Sequence, residues 1–290
     1  MLFVLSSSVN AEPDNHDVGD KECYLCHKYI KKNTGFLQSS HGVLFSNTPR
    51  NKWEARGCEA CHGEGARHLD VAGVDGYSGP QLIQSFKPES DNIESINELC
   101  SGCHQGGDTL HWSGSLHQMS DLACTSCHTL HSKQREVKPK VCENCHTEIR
   151  AKLQRSSHMP MREGVISCMD CHNAHGSSTD AALSKPSLNE TCYQCHAEKR
   201  GPFIWGHAPV QENCATCHDP HGSSHNGMLK MRPPYLCQSC HQTVFHPSEV
   251  RGGSGLSGTS ISKFMGGKSC VNCHSKIHGS SHPSGAALQR

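Results

Sequence analysis

Apolar positions are thinly spread along this chain, and the elements they predict are short. Ser187-Leu188-Asn189-Glu190, ahead of Thr191-Cys192, has a capping-box pattern and predicts a helix start. Thr147 to Gln154 predicts a helix running on from His146. Gly and Pro keep the other segments short, so the expectation is short helices, long coil and almost no sheet. Past the N-terminus no stretch reaches the roughly 18 apolar residues of a membrane helix. The N-terminal run Met1 to Leu5, followed by Val9-Asn10-Ala11, reads as the end of a secretory signal covering residues 1–11. Its basic region is missing, which suggests a truncated start.

The apolar fraction is 34% with Cys included, and about 27% without the 20 Cys. A chain of 290 residues with so few apolar side chains cannot bury an ordinary core. Something else has to supply it.

The cysteines show what that is. All 20 fall into ten Cys-x-x-Cys-His motifs. In chain order these are Cys23/Cys26/His27, Cys58/Cys61/His62, Cys100/Cys103/His104, Cys124/Cys127/His128 and Cys142/Cys145/His146. Then come Cys168/Cys171/His172, Cys192/Cys195/His196, Cys214/Cys217/His218, Cys237/Cys240/His241 and Cys270/Cys273/His274. This motif attaches haem c: two thiols add to the two vinyl groups of one porphyrin, and the His binds iron. Zinc ribbons also use Cys-x-x-Cys, but they do not require a His after each second Cys. Disulfide frameworks impose no His rule either. With 24 His in 290 residues, ten chance hits in ten would occur roughly once in 10^11. Ten haem c groups, one per 29 residues, would form a porphyrin core wrapped by thin polypeptide. Without them the chain should be disordered.

Fourteen His lie outside the motifs, and ten of these recur in a pattern. After each odd-numbered motif comes His41, His117, His158, His207 or His246. After each even-numbered motif comes His68, His131, His175, His221 or His278. These are the candidate second iron ligands, arranged in five two-haem units at about 23–68, 100–131, 142–175, 192–221 and 237–278. His16, His111, His225 and His282 are left over. The choices between His221 and His225, and between His278 and His282, stay open. A long connection from Gly63 to Glu98 and a Gly/Ser-rich stretch from Arg251 to Ser269 interrupt the repeat.

His221 follows His218 by three residues, which span at most about 10 Å. That is too short to pass round a porphyrin to its opposite face, so His221 should serve a different haem. His131, His175 and His278 follow the same logic. The expected result is a continuous row of haems, each tied to its neighbour. With this many spare His, Met ligation is unnecessary even at Met159 and Met161. All-His ligation means low potentials and no open iron position. An electron carrier is therefore expected, with no catalytic residue. One alternative is a multihaem reductase with an open haem; another is a freely diffusing periplasmic shuttle.

The 27 basic and 27 acidic residues cancel. Propionates would take the loaded protein to about −10 oxidised and about −20 reduced. No sustained basic patch exists, so nucleic acid is not an expected partner.

Several segments complete the picture: Ser39-Ser40-His41-Gly42, Trp112-Ser113-Gly114-Ser115-Leu116-His117, Ser156-Ser157-His158, Gly201 to Val210, Cys217-His218-Asp219-Pro220-His221-Gly222, and Ile277 to Gly285. With the ten motifs, from Cys23 to Gly285, they make the chain resemble the periplasmic decahaem cytochromes of the MtrA/DmsE family. The resemblance implies an elongated, bis-His multihaem cytochrome c, mostly coil with short helices around an extended chain of haems. It would be a single domain over residues 12–290, also divisible into pentahaem halves at about 23–150 and 151–290. It further implies insertion into an outer-membrane β-barrel porin. Donors would be periplasmic or inner-membrane quinol-oxidising cytochromes. Electrons would pass to a surface multihaem cytochrome or surface reductase, and on to metal oxides or dimethyl sulfoxide.

Overall fold

The structure is a computed structural model that describes residues 18–72, 82–87, 93–133, 137–241 and 269–289. The signal segment 1–11, His16, His246 and residues 251–268 of the Gly/Ser-rich stretch lie outside them, as do parts of the 63–98 connection.

The described backbone is short helices and turns joined by coil, with isolated β-bridges in place of strands. The longest helix among the described residues, Ile93–Ser101, has 9 residues. Its inner face buries Ile96 and Asn97. The expected helix start at Ser187 forms: the Ser187 hydroxyl accepts from the Glu190 amide at 3.1 Å and opens Leu188–Tyr193. Thr147–Leu153 is helical, as its sequence predicts, and begins directly at His146. Among the described residues no helix is long and apolar enough to cross a membrane.

Two compact units make up the fold. One consists of Met1–Gln105 with Gln118–Lys138, and the other of Gly106–His117 with Pro139–Arg290. The first contains motifs one to four and the second motifs five to ten. In the first unit, Ser39 caps the turn Ser40–Gly42 by accepting from the Gly42 amide at 3.0 Å. Phe45 then packs edge-on against Trp53, with centroids 5.5 Å apart. In the second unit, backbone bridges Ser157↔Ser223 and Trp205↔Ser280 tie segments before His158 and His207 to segments after His221 and His278.

The buried apolar residues among those described are Phe45, Ala60, Ile96, Ala123 and Leu153. That is a small core for a chain of this length, as the composition requires.

A local alternation runs through both units. The first cysteine of every odd-numbered motif lies in an α-helix: Asp20–Cys26, Ile93–Ser101, Pro139–Glu143, Leu188–Tyr193 or Tyr235–Gln238. Four even-numbered motifs open on a 3₁₀ turn instead, at Cys124–Ser126, Cys168–Asp170, Cys214–Thr216 and Cys270–Asn272. The second motif runs into the helix Glu59–His62.

Candidate functional site

Each Cys-x-x-Cys-His forms one helical turn. In all ten, the His amide donates to the carbonyl of the first Cys at 2.8–3.1 Å. Residues i, i+3 and i+4 then share one face, so both thiols and the imidazole point the same way. This geometry suits a ring bonded at one edge and ligated at its centre.

The imidazoles come in facing pairs. His27 faces His68, His62 faces His131, and His104 faces His41. In the second unit His146 faces His117, His172 faces His221, His218 faces His278 and His241 faces His207. Ring centroids in these seven pairs are 5.9–6.4 Å apart. Two imidazoles on one metal ion, with nitrogen–metal distances of about 2 Å, place their centroids about 6 Å apart. The pairs therefore fit an iron between them. Each joins one motif His to one of the spare His of the repeat. Among the described residues no three His, Cys, Asp or Glu side chains converge as a zinc site would need.

The seven pairs account for seven of the ten motif His; His128, His196 and His274 are placed by other contacts. The His128 amide closes its own turn onto Cys124 O at 3.0 Å, half-buried in the first unit. His196 Nδ1 lies 3.6 Å from Glu198 Oε1. His274 is held through its Nδ1, as described next.

Backbone carbonyls orient the rings. Nδ1–H donates from His62 to Gln84 O (3.0 Å), from His172 to Ala181 O (2.8 Å), from His218 to Gly227 O (2.6 Å) and from His274 to Ala287 O (2.6 Å). Among the spare His, His117 donates to Ala174 O (2.7 Å) and His207 to Ile277 O (3.0 Å). With Nδ1 tied, Nε2 is left for a metal. Burial pushes His41, His62, His131, His221 and His278 below the usual imidazole range, favouring the neutral form that ligates.

Exposed apolar groups also fit a haem. Leu25, Met169 and Val271, each between the two cysteines of a motif, are exposed on the polypeptide. So are Leu116 and Met119, which flank His117. Apolar groups at these places are surfaces for a porphyrin to cover.

The cysteines pair too. The first cysteines of motifs one and two, Cys23 and Cys58, share a hydrogen bond, as do Cys100 with Cys124 and Cys142 with Cys168. In each of these pairs the shared proton lowers the first thiol and raises the second. Cys192 also meets Cys214, and Cys237 meets Cys270, but here burial and the neighbouring thiol push the first cysteine of each pair up. The second cysteines link the next step along: Cys61 lies within electrostatic reach of Cys103, Cys171 of Cys195 and Cys217 of Cys240. Inside each unit, motifs adjacent in sequence are adjacent in space, alternately through first and second cysteines.

Four details differ from what spacing suggests. First, motifs that read alike differ in exposure: the second cysteines Cys26, Cys103, Cys127, Cys145, Cys195, Cys240 and Cys273 are exposed on the polypeptide, whereas Cys61, Cys171 and Cys217 are half-buried. The amides of Cys127, Cys145 and Cys273 donate to Cys124 O, Cys142 O and Cys270 O at 3.3, 3.2 and 3.1 Å.

Second, His221 does reach away from its own motif, but it faces His172, two motifs back rather than one. The adjoining seventh and ninth motifs already flank the eighth through Cys214 and Cys217, so the tether extends to the next motif beyond. His131 and His278 likewise face rings two motifs back. Third, His158 has Nδ1–H donated to Arg155 O at 2.7 Å, while its Nε2 accepts from Arg162 Nε at 3.2 Å and lies 3.2 Å from Glu163 Oε1. Fourth, His175 has its ring 6.3 Å from that of Trp112. Of the leftover His, His282 accepts at Nδ1 from the Ser284 amide (3.2 Å), and the His225 amide donates to Ser223 Oγ.

Sequence reasoning missed the carbonyls that hold the rings, and the backbone that presents them. Ala181, Ala182, Met228 and Leu288 take positive φ of 50–57° beside those carbonyls. Non-glycine residues adopt this conformation at a cost, and it is held here where the chain turns back to grip a motif His. The matching offset of Ala181 and Gly227 behind His172 and His218 was the available signal.

Comparisons agree with the geometry. Residues 158–201 and 207–245 match the doubled CXXCH motif family, and residues 58–140 match the cytochrome c-type protein NrfB-like family. The chain is 43% identical over 289 residues to "Multiheme cytochrome MtrA" of Shewanella baltica (strain OS185), covering 97% of this chain and 84% of that protein. It is 31% identical over 162 residues to "Cytochrome c-type protein NrfB" of Haemophilus influenzae (strain ATCC 51907 / DSM 11121 / KW20 / Rd), covering 48% of this chain and 71% of that protein.

Proposed function

We propose that this chain, which belongs to the MtrA family of multihaem c-type cytochromes and is an electron carrier, holds ten haems and conducts electrons across the outer membrane inside a porin. The observation that carries this reading is the run of seven facing imidazole pairs at 5.9–6.4 Å. The twenty motif cysteines anchor the porphyrins, Cys127, Cys145 and Cys273 among them. The motif His, His128 included, and the ten recurring spare His, with His246, His158 and His175 among them, are the axial ligands.

The bound haems supply one-electron iron couples, at the low potentials that His/His ligation gives relative to His/Met. The chain's own residues do the rest. Carbonyls of Gln84, Ala181, Gly227 and Ala287 fix the motif imidazoles of even-numbered sites. Ala174 and Ile277 fix His117 and His207. Two imidazoles per iron leave no position for a substrate. Cysteine contacts keep consecutive motifs together, so charge passes along each unit in chain order.

Single turns and coil leave peptide groups that lipid cannot satisfy, so crossing a bilayer requires a protein sheath. A β-barrel porin supplies it. Periplasmic or inner-membrane quinol-oxidising cytochromes donate. A surface multihaem cytochrome or surface reductase accepts, on the way to metal oxides or dimethyl sulfoxide. The protein resides in the periplasm, held at the outer membrane by the porin.

The test is reconstitution of the holoprotein with its barrel in liposomes, with reductant inside and an impermeant oxidant outside. Oxidation of the interior that requires both proteins supports the conduit. Holoprotein and barrel that co-insert without coupling the two pools overturn it.

A further inference from the structure

The cysteine contacts raise a question of positioning: what holds the second motif of a pair at a set distance from the first? In three pairs one side chain does so, always three residues before the first cysteine of the odd-numbered motif. Asp20 Oδ1 accepts from the Cys58 amide at 2.8 Å. Asn97 Oδ1 accepts from the Cys124 amide at 2.9 Å. Asn189 Oδ1 accepts from the Cys214 amide at 2.8 Å.

Each acceptor is itself held. Ser46 Oγ donates to Asp20 Oδ2 at 2.8 Å. Asn97 Nδ2 donates to Leu122 O at 3.0 Å. Asn189 Nδ2 donates to Val210 O and Gln211 O at 3.1 and 3.0 Å. Asn97 and Asn189 are buried. Residues i and i+3 share a helix face, so one face carries both the odd-numbered motif's first cysteine and the group gripping the even-numbered motif's first cysteine. The link from Cys100 to Cys124 is thus one helical turn plus one part-buried hydrogen bond, and the links from Cys23 to Cys58 and Cys192 to Cys214 are built the same way. In the third and fifth pairs Pro139 and Pro234 occupy this place, and their side chains have no acceptor.

We infer that Asp20, Asn97 and Asn189 are positioning residues that set the register between the two haem attachment sites of their pairs. The inference rests on the haem-carrying reading above. It requires neither the porin nor the membrane.

The experiment uses purified holoprotein carrying Asn97→Ala or Asn189→Ala, with Asn97→Asp and Asn189→Asp as conservative variants. Aspartate keeps the Oδ acceptor and is the residue the first pair already uses. Haem content is read by intact mass, and the magnetic interaction between neighbouring ferric haems by electron paramagnetic resonance. The alanine variants should keep the full haem content while the interaction within the affected pair changes, with a several-fold drop in flux. The aspartate variants should restore the parent signal. Alanine variants with full haem and an unchanged interaction overturn the proposal. If an alanine variant loads less haem, aspartate decides: the parent interaction supports the proposal, and an altered one overturns it. A parent protein that carries haem but passes no current through its barrel defeats the conduit and leaves this measurement valid.

Discussion

At the even-numbered motifs the chain folds back on its own histidine: a carbonyl a short distance downstream accepts a hydrogen bond from Nδ1–H of His172, His218 and His274. At odd-numbered motifs the motif histidine leads into a helix, as His27, His146 and His196 do at Lys28–Asn33, Thr147–Leu153 and Ala197–Lys199. There the fixed ring is the facing one, and its carbonyl comes from far along the chain: Ala174 for His117, which faces His146, and Ile277 for His207, which faces His241. A metal bound by two imidazoles needs at least one of them oriented beforehand. Even-numbered sites achieve this locally. Odd-numbered sites depend on the fold being assembled, so they should respond more strongly to distant perturbation.

The largest effect comes from deleting a site outright. In the parent, intact mass should equal the mature chain plus ten haems. Cys214→Ala with Cys217→Ala should remove one haem from that mass and reduce flux through the liposome system to background. Undiminished flux would show that this even-numbered site is not in the path.

Changing the facing ligand is a smaller intervention. His221→Met should raise the potential of one haem, since Met/His ligation lies above His/His. His225→Met should leave every potential unchanged, because it is His221 whose ring faces His172. Potentiometric titration separates the two, and a shift produced by His225→Met would reverse the assignment.

Two glycines compare the local and the remote anchor directly. Gly279 has φ +132°, and a Cβ there would meet the Phe203 ring. It follows the Ile277-His278 segment that holds His207 and faces His218. Gly279→Ala should cost about 2–3 kcal/mol in thermal denaturation and perturb the ninth site. Gly227 has φ +70° with open space around it, so Gly227→Ala should cost about 1 kcal/mol through backbone strain alone. Equal costs would remove the distinction between the two kinds of anchor.

The smallest effect expected is at Lys152, whose ammonium lies 3.2 Å from Asp219, beside the eighth motif. The side chains are 23% and 18% exposed. Lys152→Gln should lower stability by about 1 kcal/mol or less in denaturant titration, and less still in high salt.

Haem attachment was legible because it is local. Two thiols and an imidazole at i, i+3 and i+4 fall on one face of a single turn, whatever the rest of the chain does. The thin apolar composition and frequent Gly and Pro likewise set short helices without sheet, since neither long apolar faces nor extended runs exist to form anything larger. The facing partner of each ring was not legible. His221 and His225 are chemically the same, as are His278 and His282, so residue type cannot choose between them. Nor could the motifs themselves say that Cys127, Cys145 and Cys273 would be exposed and Cys61, Cys171 and Cys217 half-buried, since every motif reads alike. The choice depends on where the backbone places each group, and contacts far apart in sequence decide that, such as Ser157 with Ser223 and Trp205 with Ser280. The acceptors Asn97 and Asn189 were hidden for the same reason. An asparagine one turn before a cysteine carries no signal until folding brings a second motif's amide against it.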